Sequence, residues 1–332
     1  MYFLKRLILI VPTLCLVSVL LFVLLQLLPG GPIESLLARR SSVDGAYRSS
    51  ILSRDQQAAL DRYYGFDQSA GTRYRQWIGN VVRLDLGQSY YYNEPVIDVL
   101  WRAFPVSFCL SALTIFLTLL ASLPLGVIMA ITYRKMQNLA LEWVLLVAYV
   151  LPGFAIGIVL ILFFSDGIFK NLFPLQGATG EHFSKLSFAG KTGDLLWHLT
   201  LPAVALTAGF LAPLALLVRN TIREQLLEDY VRAARARGAS EYRVIFIHVS
   251  KRTLLPVCTF VGQRIGQLMG GLLVIETLFG LHGLGRLGFE SILRRDYGVV
   301  MAIVLLFTLF QIVGNLISDF CYQALDPRVR FS

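Results

Sequence analysis

Charge is scarce in this sequence: only 15% of its 332 residues are Asp, Glu, Lys or Arg, and 56% are hydrophobic. A soluble globular protein carries more charge on its surface, so the composition excludes an ordinary soluble domain. The charge-free stretches reach the roughly 20 residues that a helix needs to cross a bilayer. They are Leu7–Ile33, Ala103–Tyr133, Trp143–Ser165, Leu195–Val218, Tyr297–Ser318 and, interrupted only by Arg264, Thr253–Ile275. The sequence therefore predicts an all-α protein with six transmembrane helices in a lipid bilayer.

Residues that carry out chemistry are also few. The four cysteines form no C-x-x-C pair, and the four histidines are scattered without the spacing of zinc ligands. They are Cys15, Cys109, Cys258, Cys321, His182, His198, His248 and His282. No nucleophile stands beside a base, and no pair of acids lies at helical spacing in an apolar run. We therefore expect this chain to be no enzyme and to hold neither a metal nor a cofactor.

The positive charges predict how the chain is oriented in the membrane. With the N-terminus inside, fourteen Lys and Arg fall in cytoplasmic segments and six in short outer loops. Because basic residues favour the cytoplasmic side, both termini are predicted to be cytoplasmic. The net charge of +9 reflects this topology better than nucleic-acid binding, since it is spread over loops on both sides. No small-residue cleavage site follows Leu7–Ile33, so we expect it to remain as a helix.

The segment 30–102 is predicted to be periplasmic and helical. Ser53 to Gln56 has the pattern of a capping box, which predicts a helix to about Tyr64. A second, amphipathic helix is indicated by apolar residues at helical spacing, and a third covers Val96–Trp101. The apolar residues of the second helix are Tyr74, Trp77, Ile78, Val81 and Val82. We expect a small helical cap on the outer membrane face, which either covers helix ends or contacts a substrate or partner protein.

The basic cytoplasmic loop, residues 219–252, is predicted to contain two short helices. Helical spacing of Leu226, Tyr230, Ala233, Ala234 and Arg237 indicates the first helix. Gly238 suits the position after a helix end, where φ is positive. Ser240 is a candidate N-cap for a second helix, and Glu241 favours its positive end. The small pair Ala233 and Ala234 would let a partner approach closely. The alternative is a basic loop resting on anionic lipid headgroups.

Several motifs resemble one family of transporters. Tyr230-Val-Arg-Ala-Ala-Arg-Ala-Arg-Gly238-Ala-Ser240, with Leu255-Pro256 downstream, resembles the EAA loop of ABC importer permeases. Further motifs resemble the dipeptide/oligopeptide group of these permeases; they are Leu28–Pro32, Tyr74–Ser89, His198–Pro202, Glu276–Arg286 and Arg295–Tyr297. Two features depart from the family pattern. Glu-Ala-Ala is replaced by Arg232-Ala233-Ala234, and Gly-Asp-Pro by Gly30-Gly31-Pro32, which resembles the oligopeptide and microcin C branch.

The resemblance implies a single type I permease domain, residues 1–332, in a bacterial inner membrane. It also implies a heterodimer with a second homologous permease, two cytoplasmic ATPase subunits that bind ATP and Mg, and a periplasmic peptide-binding protein. The loop 219–252 would couple to an ATPase through Asp229, Tyr230, Arg232, Ala233, Ala234, Arg237, Gly238, Ser240 and Glu241. Substrates would be peptides or, as alternatives within the family, nickel complexes, glutathione or microcins.

Arg264 is the one charge at membrane depth in the apolar runs. A buried arginine there is costly, so it should face protein or a water-filled path. It either supports a neighbouring helix or second permease, or lines the pathway with Gln263 and Gln267, which share a face at i, i+4. A gradient-driven secondary transporter would instead need midplane carboxylates or broken helices. A membrane-bound enzyme or receptor would need a cluster of site residues, and the sequence shows none.

Overall fold

The protein is described here by a computed structural model covering residues 2–27, 68–132, 135–165, 172–270 and 272–325. These residues are almost entirely helical, and the single β feature among them is an isolated bridge between Gln88 and Pro95. The α-helices of these residues are α1 Tyr2–Leu27, α2 Ala70–Val82, α3 Val96–Ile131, α4 Lys135–Val150, α5 Gly153–Phe164, α6 Phe188–Leu226, α7 Asp229–Ala236, α8 Glu241–Arg243, α9 Ser250–Gly270, α10 Leu273–Leu278, α11 Leu284–Leu293 and α12 Tyr297–Leu325. The all-α prediction is confirmed, while the helix predicted at Ser53–Tyr64 lies outside the described residues.

Five helical stretches are long and apolar enough to cross a membrane. A π-helical turn, Val244–Val249, joins α8 to α9, so that these elements form one continuous helix. The five stretches are Ile8–Leu27, Val96–Ile131, Phe188–Leu226, Glu241–Leu268 and Tyr297–Leu325. The pair α4 and α5 supplies a sixth span if its two bent halves count as one.

The apolar run Trp143–Ser165 is not the continuous helix that its length predicts. Helices α4 and α5 meet at an angle of 100°. The break falls at Leu151 and Pro152, and Pro152 has φ −58° and ψ 135°, an extended conformation. Proline has no N–H to donate and disfavours the helical conformation of the residue before it, so the break has a local cause.

The described residues divide into two compact units. The first comprises Met1–Pro105 and Arg286–Thr308. In it, α2 lies against α1: the hydroxyl groups of Ser18 and Tyr74 are 2.8 Å apart, and Trp77 packs with Leu25. Ser69 caps α2 by accepting a hydrogen bond from the Thr72 N–H. The second helix predicted for the segment 30–102 is thus observed as α2.

A buried carboxylate organises the turn before α3 in this first unit. Asp296, at the start of α12, accepts hydrogen bonds from the Ser89 hydroxyl and, at 3.3 Å, from the Tyr91 N–H. The Arg294 guanidinium stacks on the Tyr91 ring at 3.8 Å from its centroid. Burial raises the pKa of the neighbouring Tyr92 phenol, so that phenol stays neutral at physiological pH. Tyr91 therefore helps to hold this turn together through its backbone N–H and its ring.

The second unit comprises Val106–Gly285 and Leu309–Ser332 and contains the loop and Arg264. Helix α6 is its most buried span, and α4, α5 and α9 pack against it. Helices α9 and α12 approach through glycines: a Cβ atom at Gly262 would lie 2.3 Å from the Gly314 carbonyl oxygen. Such small residues allow helix backbones to touch in a membrane.

Candidate functional site

The basic loop folds as its sequence predicts. Helix α7 begins at Asp229 and ends at Ala236, and Gly238 follows with φ +82°. The Gly238 N–H donates to the Arg235 carbonyl at 2.9 Å, and the Ala239 N–H to the Ala234 carbonyl at 3.1 Å. These two bonds form a Schellman motif, which satisfies the carbonyl groups at a helix end. The motif needs positive φ, and glycine adopts it without steric cost.

The second short helix is capped and tied back to the first. The Ser240 side chain accepts from the Arg243 N–H, as predicted for an N-cap. Glu241 accepts two hydrogen bonds from Arg235, at 2.8 and 3.1 Å, so the carboxylate and guanidinium meet in a bidentate pair. This pair joins α7 to α8 across the turn at Gly238. Arg235 was not among the residues predicted for the coupling loop.

The two faces of α7 have different surroundings. Val231 and Ala234 are buried within this chain, with exposed fractions of 0% and 2%. Arg232, Ala233 and Arg237 are exposed. The structure therefore corrects one expectation: Ala234 packs inward and supports the helix, so its side chain is not on the surface open to a partner. Ala233 remains the small residue that a partner could approach.

Tyr230 fixes α7 to its neighbours. Its hydroxyl donates to the Gln225 amide oxygen of α6 at 3.0 Å. The Arg252 guanidinium of α9 lies 4.6 Å from the centre of the Tyr230 ring and also donates to Gln225 at 3.3 Å. Burial raises the pKa of Tyr230 above its ordinary value of 10.0, so the phenol remains a hydrogen-bond donor at neutral pH.

An apolar cluster connects the loop to the membrane helices. Val231 of α7 and Val244 and Val249 of the π-helical turn are buried together with residues of α6 and α9. The buried residues of α6 and α9 in this cluster are Leu214, Val218, Ile222 and Val257. Well-packed cores transmit displacement because they hold few voids. A force on α7 would therefore reach both membrane helices.

Arg264 lies further along α9, beside the same cluster. Its guanidinium is 4.7 Å from the ring centre of Phe260 and 4.8 Å from that of Phe210 on α6. It donates to the Gln267 amide oxygen, while its buried Nε has no hydrogen-bond partner. Arg264 also lines a small, mostly apolar pocket together with Thr118. The aromatic stacking was not foreseen from the sequence.

Gln263 and Gln267 are both exposed on this chain, on the face of α9 that their spacing predicts. The structure brings Gln267 and Arg264 into contact, but these two residues do not contact the basic loop 219–252. The two groups are separate: one at the start of the helical stretch Glu241–Leu268 and the other near its end.

Glu276 of α10 is a buried carboxylate, 0% exposed, that was not predicted as a site residue. The Ser107 hydroxyl of α3 donates to it at 2.6 Å and accepts from the Leu284 N–H at 2.7 Å. A Cβ atom at Gly283 would lie 2.2 Å from Glu276 Oε1, so a side chain there would displace this carboxylate from its contact with Ser107. The sequence did contain a signal for this site: a lone acid that follows an apolar run and precedes closely spaced glycines.

The helices extend beyond the charge-free runs and therefore include acidic residues that the runs exclude. Helix α12 extends past the run Tyr297–Ser318 and includes Asp319, which is 8% exposed. Asp319 lies within the last two turns of that helix, so it is no midplane carboxylate of the kind expected of an ion-driven transporter. Among the described residues, no group of three or more His, Cys, Asp or Glu could hold a metal ion.

Comparison with known proteins identifies the family. Residues 122–331 match the model of the "Binding-protein-dependent transport system inner membrane component". The peptidoglycan transport system permease YejB of Agrobacterium fabrum is 33% identical, and the match covers 99% of this chain and 98% of that protein. The oligopeptide transport system permease AppB of Bacillus subtilis is 30% identical, with 99% of each chain covered.

A glutathione transport permease, GsiC of Escherichia coli, is 31% identical over 99% of each chain. The relatives thus align along almost the whole of this sequence, including the loop 219–252 and the Arg264 region. The chain belongs to the family of inner-membrane permease components of binding-protein-dependent transport systems.

Proposed function

We propose that this chain is one of two homologous permease subunits of an ATP-driven importer with the type I fold. It moves peptides or peptide-like compounds from the periplasm to the cytoplasm by alternating access. Relatives named for peptide transport match it over nearly their full length, which supports this substrate class. A nickel import permease of Staphylococcus aureus is also similar, at 30% identity, so a non-peptide cargo is the alternative outcome.

The observation that carries the proposal is the two-faced helix α7. Its outer face offers Arg232, Ala233 and Arg237 to a partner. Its inner face, with Val231 and Ala234, is anchored in the core that contains α6 and α9. A lipid-resting basic loop would need exposed charge but not this anchoring. The arrangement suits a lever that receives motion on one side and transmits it on the other.

The proposed cycle assigns the energy to other subunits. Two cytoplasmic ATPases bind ATP and Mg and carry the coupling loop with them as they close. The loop then shifts α6 and α9, and the membrane helices reorient around a path beside Gln263, Arg264 and Gln267. A periplasmic binding protein delivers the cargo from the side of the segment 30–102, and both termini are cytoplasmic.

The test compares two neighbouring alanines in the assembled complex. Ala233→Cys, placed on the exposed face, should react with a photoactivatable maleimide and crosslink to the ATPase on illumination. Ala234→Cys is the matched control, because its side chain points into this chain and should react only after denaturation. Crosslinking of Ala233→Cys to lipid alone, with ATPase present and active, would contradict the coupling role.

A further inference from the structure

Arg264 lacks a negatively charged partner. Within the described residues, no Asp or Glu side chain forms an ion pair with it. It contacts two phenylalanine rings and Gln267, and Tyr149 also interacts with it electrostatically. Its Nε–H is buried and makes no hydrogen bond to the protein. Residues flanking it at the same depth of α9 are neutral, including Gln263 and Leu268. Among the described residues, the guanidinium is therefore a partly buried cation without a paired carboxylate.

Such a charge is costly unless something compensates it. Contact with the two aromatic rings offsets part of the cost of removing the charge from water. A fixed carboxylate would compensate more simply, as Glu142 does for Arg219 at 2.6 Å. The absence of such an acid near Arg264 among the described residues leaves its charge available to a mobile anion. Two rings hold the guanidinium in position before binding, which lowers the cost of ordering it.

We propose that Arg264 binds the carboxylate of the transported compound, which for a peptide is its C-terminal carboxylate. The inference rests on the proposed function and deepens it by naming the group of the substrate that this chain recognises. A guanidinium presents a planar fork of donors that matches a carboxylate in two parallel hydrogen bonds. The exposed amides of Gln263 and Gln267, on the same helix, can hydrogen-bond the peptide backbone next to it.

The surroundings suit a carboxylate attached to an apolar residue. The pocket that Arg264 lines is otherwise formed mainly by apolar side chains, including Phe210, Leu214 and Phe260. Thr118 is its one other polar side chain, and its hydroxyl already donates within α3. A carboxylate at Arg264 would therefore place a neighbouring apolar side chain against these residues. A peptide bound in the opposite direction would place its positively charged amino terminus next to the Arg264 guanidinium, and the two like charges would repel.

The experiment uses the whole complex, with both permeases, both ATPases and the binding protein, in proteoliposomes. Trialanine and trialanine amide are compared, because they differ only in the C-terminal charge. Binding-protein affinity is measured for each, and uptake is recorded with the binding protein saturated. Arg264→Gln removes the charge and Arg264→Lys keeps it without the fork. Arg286→Gln, which removes an arginine from an ion pair with Glu290, is the control.

We expect Arg264→Gln to slow uptake of trialanine by about tenfold, the loss of one charge-assisted interaction, and uptake of the amide by less than twofold. Arg264→Lys should keep part of the preference, and Arg286→Gln all of it. The proposal would be overturned if Arg264→Gln slowed uptake of both peptides equally or of neither. It would also be overturned if both Arg264 variants failed to assemble, which would indicate that a carboxylate of the second permease pairs with Arg264. If even the wild-type complex shows no ATP-dependent uptake of any peptide, the proposed function fails instead.

Discussion

Substitutions of Gly238 can separate two effects on transport: strain in the backbone of this chain and steric conflict with a partner subunit. The Gly238 φ of +82° is unfavourable for residues with a Cβ, by about 1–2 kcal/mol. A Cβ at Gly238 would meet no atom of this chain within 4 Å. Alanine should therefore cost only the backbone penalty, and asparagine less, because it tolerates this conformation better. Neither change removes the buried anchors Val231 and Ala234.

Leucine at position 238 has the backbone penalty of alanine and a larger side chain. Since a Cβ atom here meets no atom of this chain within 4 Å, we attribute a further loss in Gly238→Leu to a partner that occupies this space. We predict that uptake falls modestly in Gly238→Asn, by up to roughly tenfold in Gly238→Ala, and is abolished in Gly238→Leu. The amount of each variant in the membrane should be unchanged.

The assay is ATP-driven uptake by the reconstituted complex, with crosslinking from Ala233→Cys as a measure of docking. If Gly238→Leu equals Gly238→Ala in both measurements, no partner contacts this site and the reasoning is refuted. Loss of the Leu variant from the membrane would instead show that the effect is on folding.

Three further predictions concern other parts of the chain. Gly262→Ala should destabilise the complex in thermal unfolding by about 1–3 kcal/mol, because its Cβ meets the Gly314 backbone. Gly209→Ala is the control and should leave the stability unchanged, because a Cβ there meets no atom within 4 Å. Equal destabilisation by the two changes would contradict the α9–α12 contact. Glu276→Ala should destabilise by about 1–3 kcal/mol by leaving the Ser107 hydroxyl without its acceptor, whereas Glu276→Gln should cost less; the reverse order would refute that account. In a cysteine-free background, Gln68→Cys should react with an impermeant maleimide in intact cells and Tyr242→Cys only after permeabilisation, and the opposite pattern would invert the topology.

Local rules account for what the sequence predicted well. The Schellman motif at Gly238 and the Ser240 cap depend on a few consecutive residues, so their conformation followed from residue type. The apolar runs located the spans for a similar reason. The family resemblance rested on several motifs spread over the chain, and the comparisons confirm it.

Features that depend on distant contacts were not predictable in the same way. Pro152 breaks a helix, whereas Pro202 and Pro256 lie inside helices, so proline alone does not locate the bend. Ala234 and Ala233 have the same side chain, and only the packing of α7 on α6 and α9 makes one inward and one outward. Glu276 meets Ser107, which lies 169 positions away in the sequence. The aromatic stacking of Arg264 likewise required the position of Phe210 on another helix.

The central claim is that this chain forms a path whose opening is driven by ATP hydrolysis in its partners. The most direct measurement is uptake of a labelled peptide into proteoliposomes that contain the complete complex, with loaded binding protein on the outside. The account predicts uptake that requires hydrolysable ATP within the liposomes, persists when ionophores collapse all ion gradients, and stops in Gly238→Leu. Uptake that needs no ATPase subunit, or that disappears with the ion gradient while ATP hydrolysis continues, would contradict it.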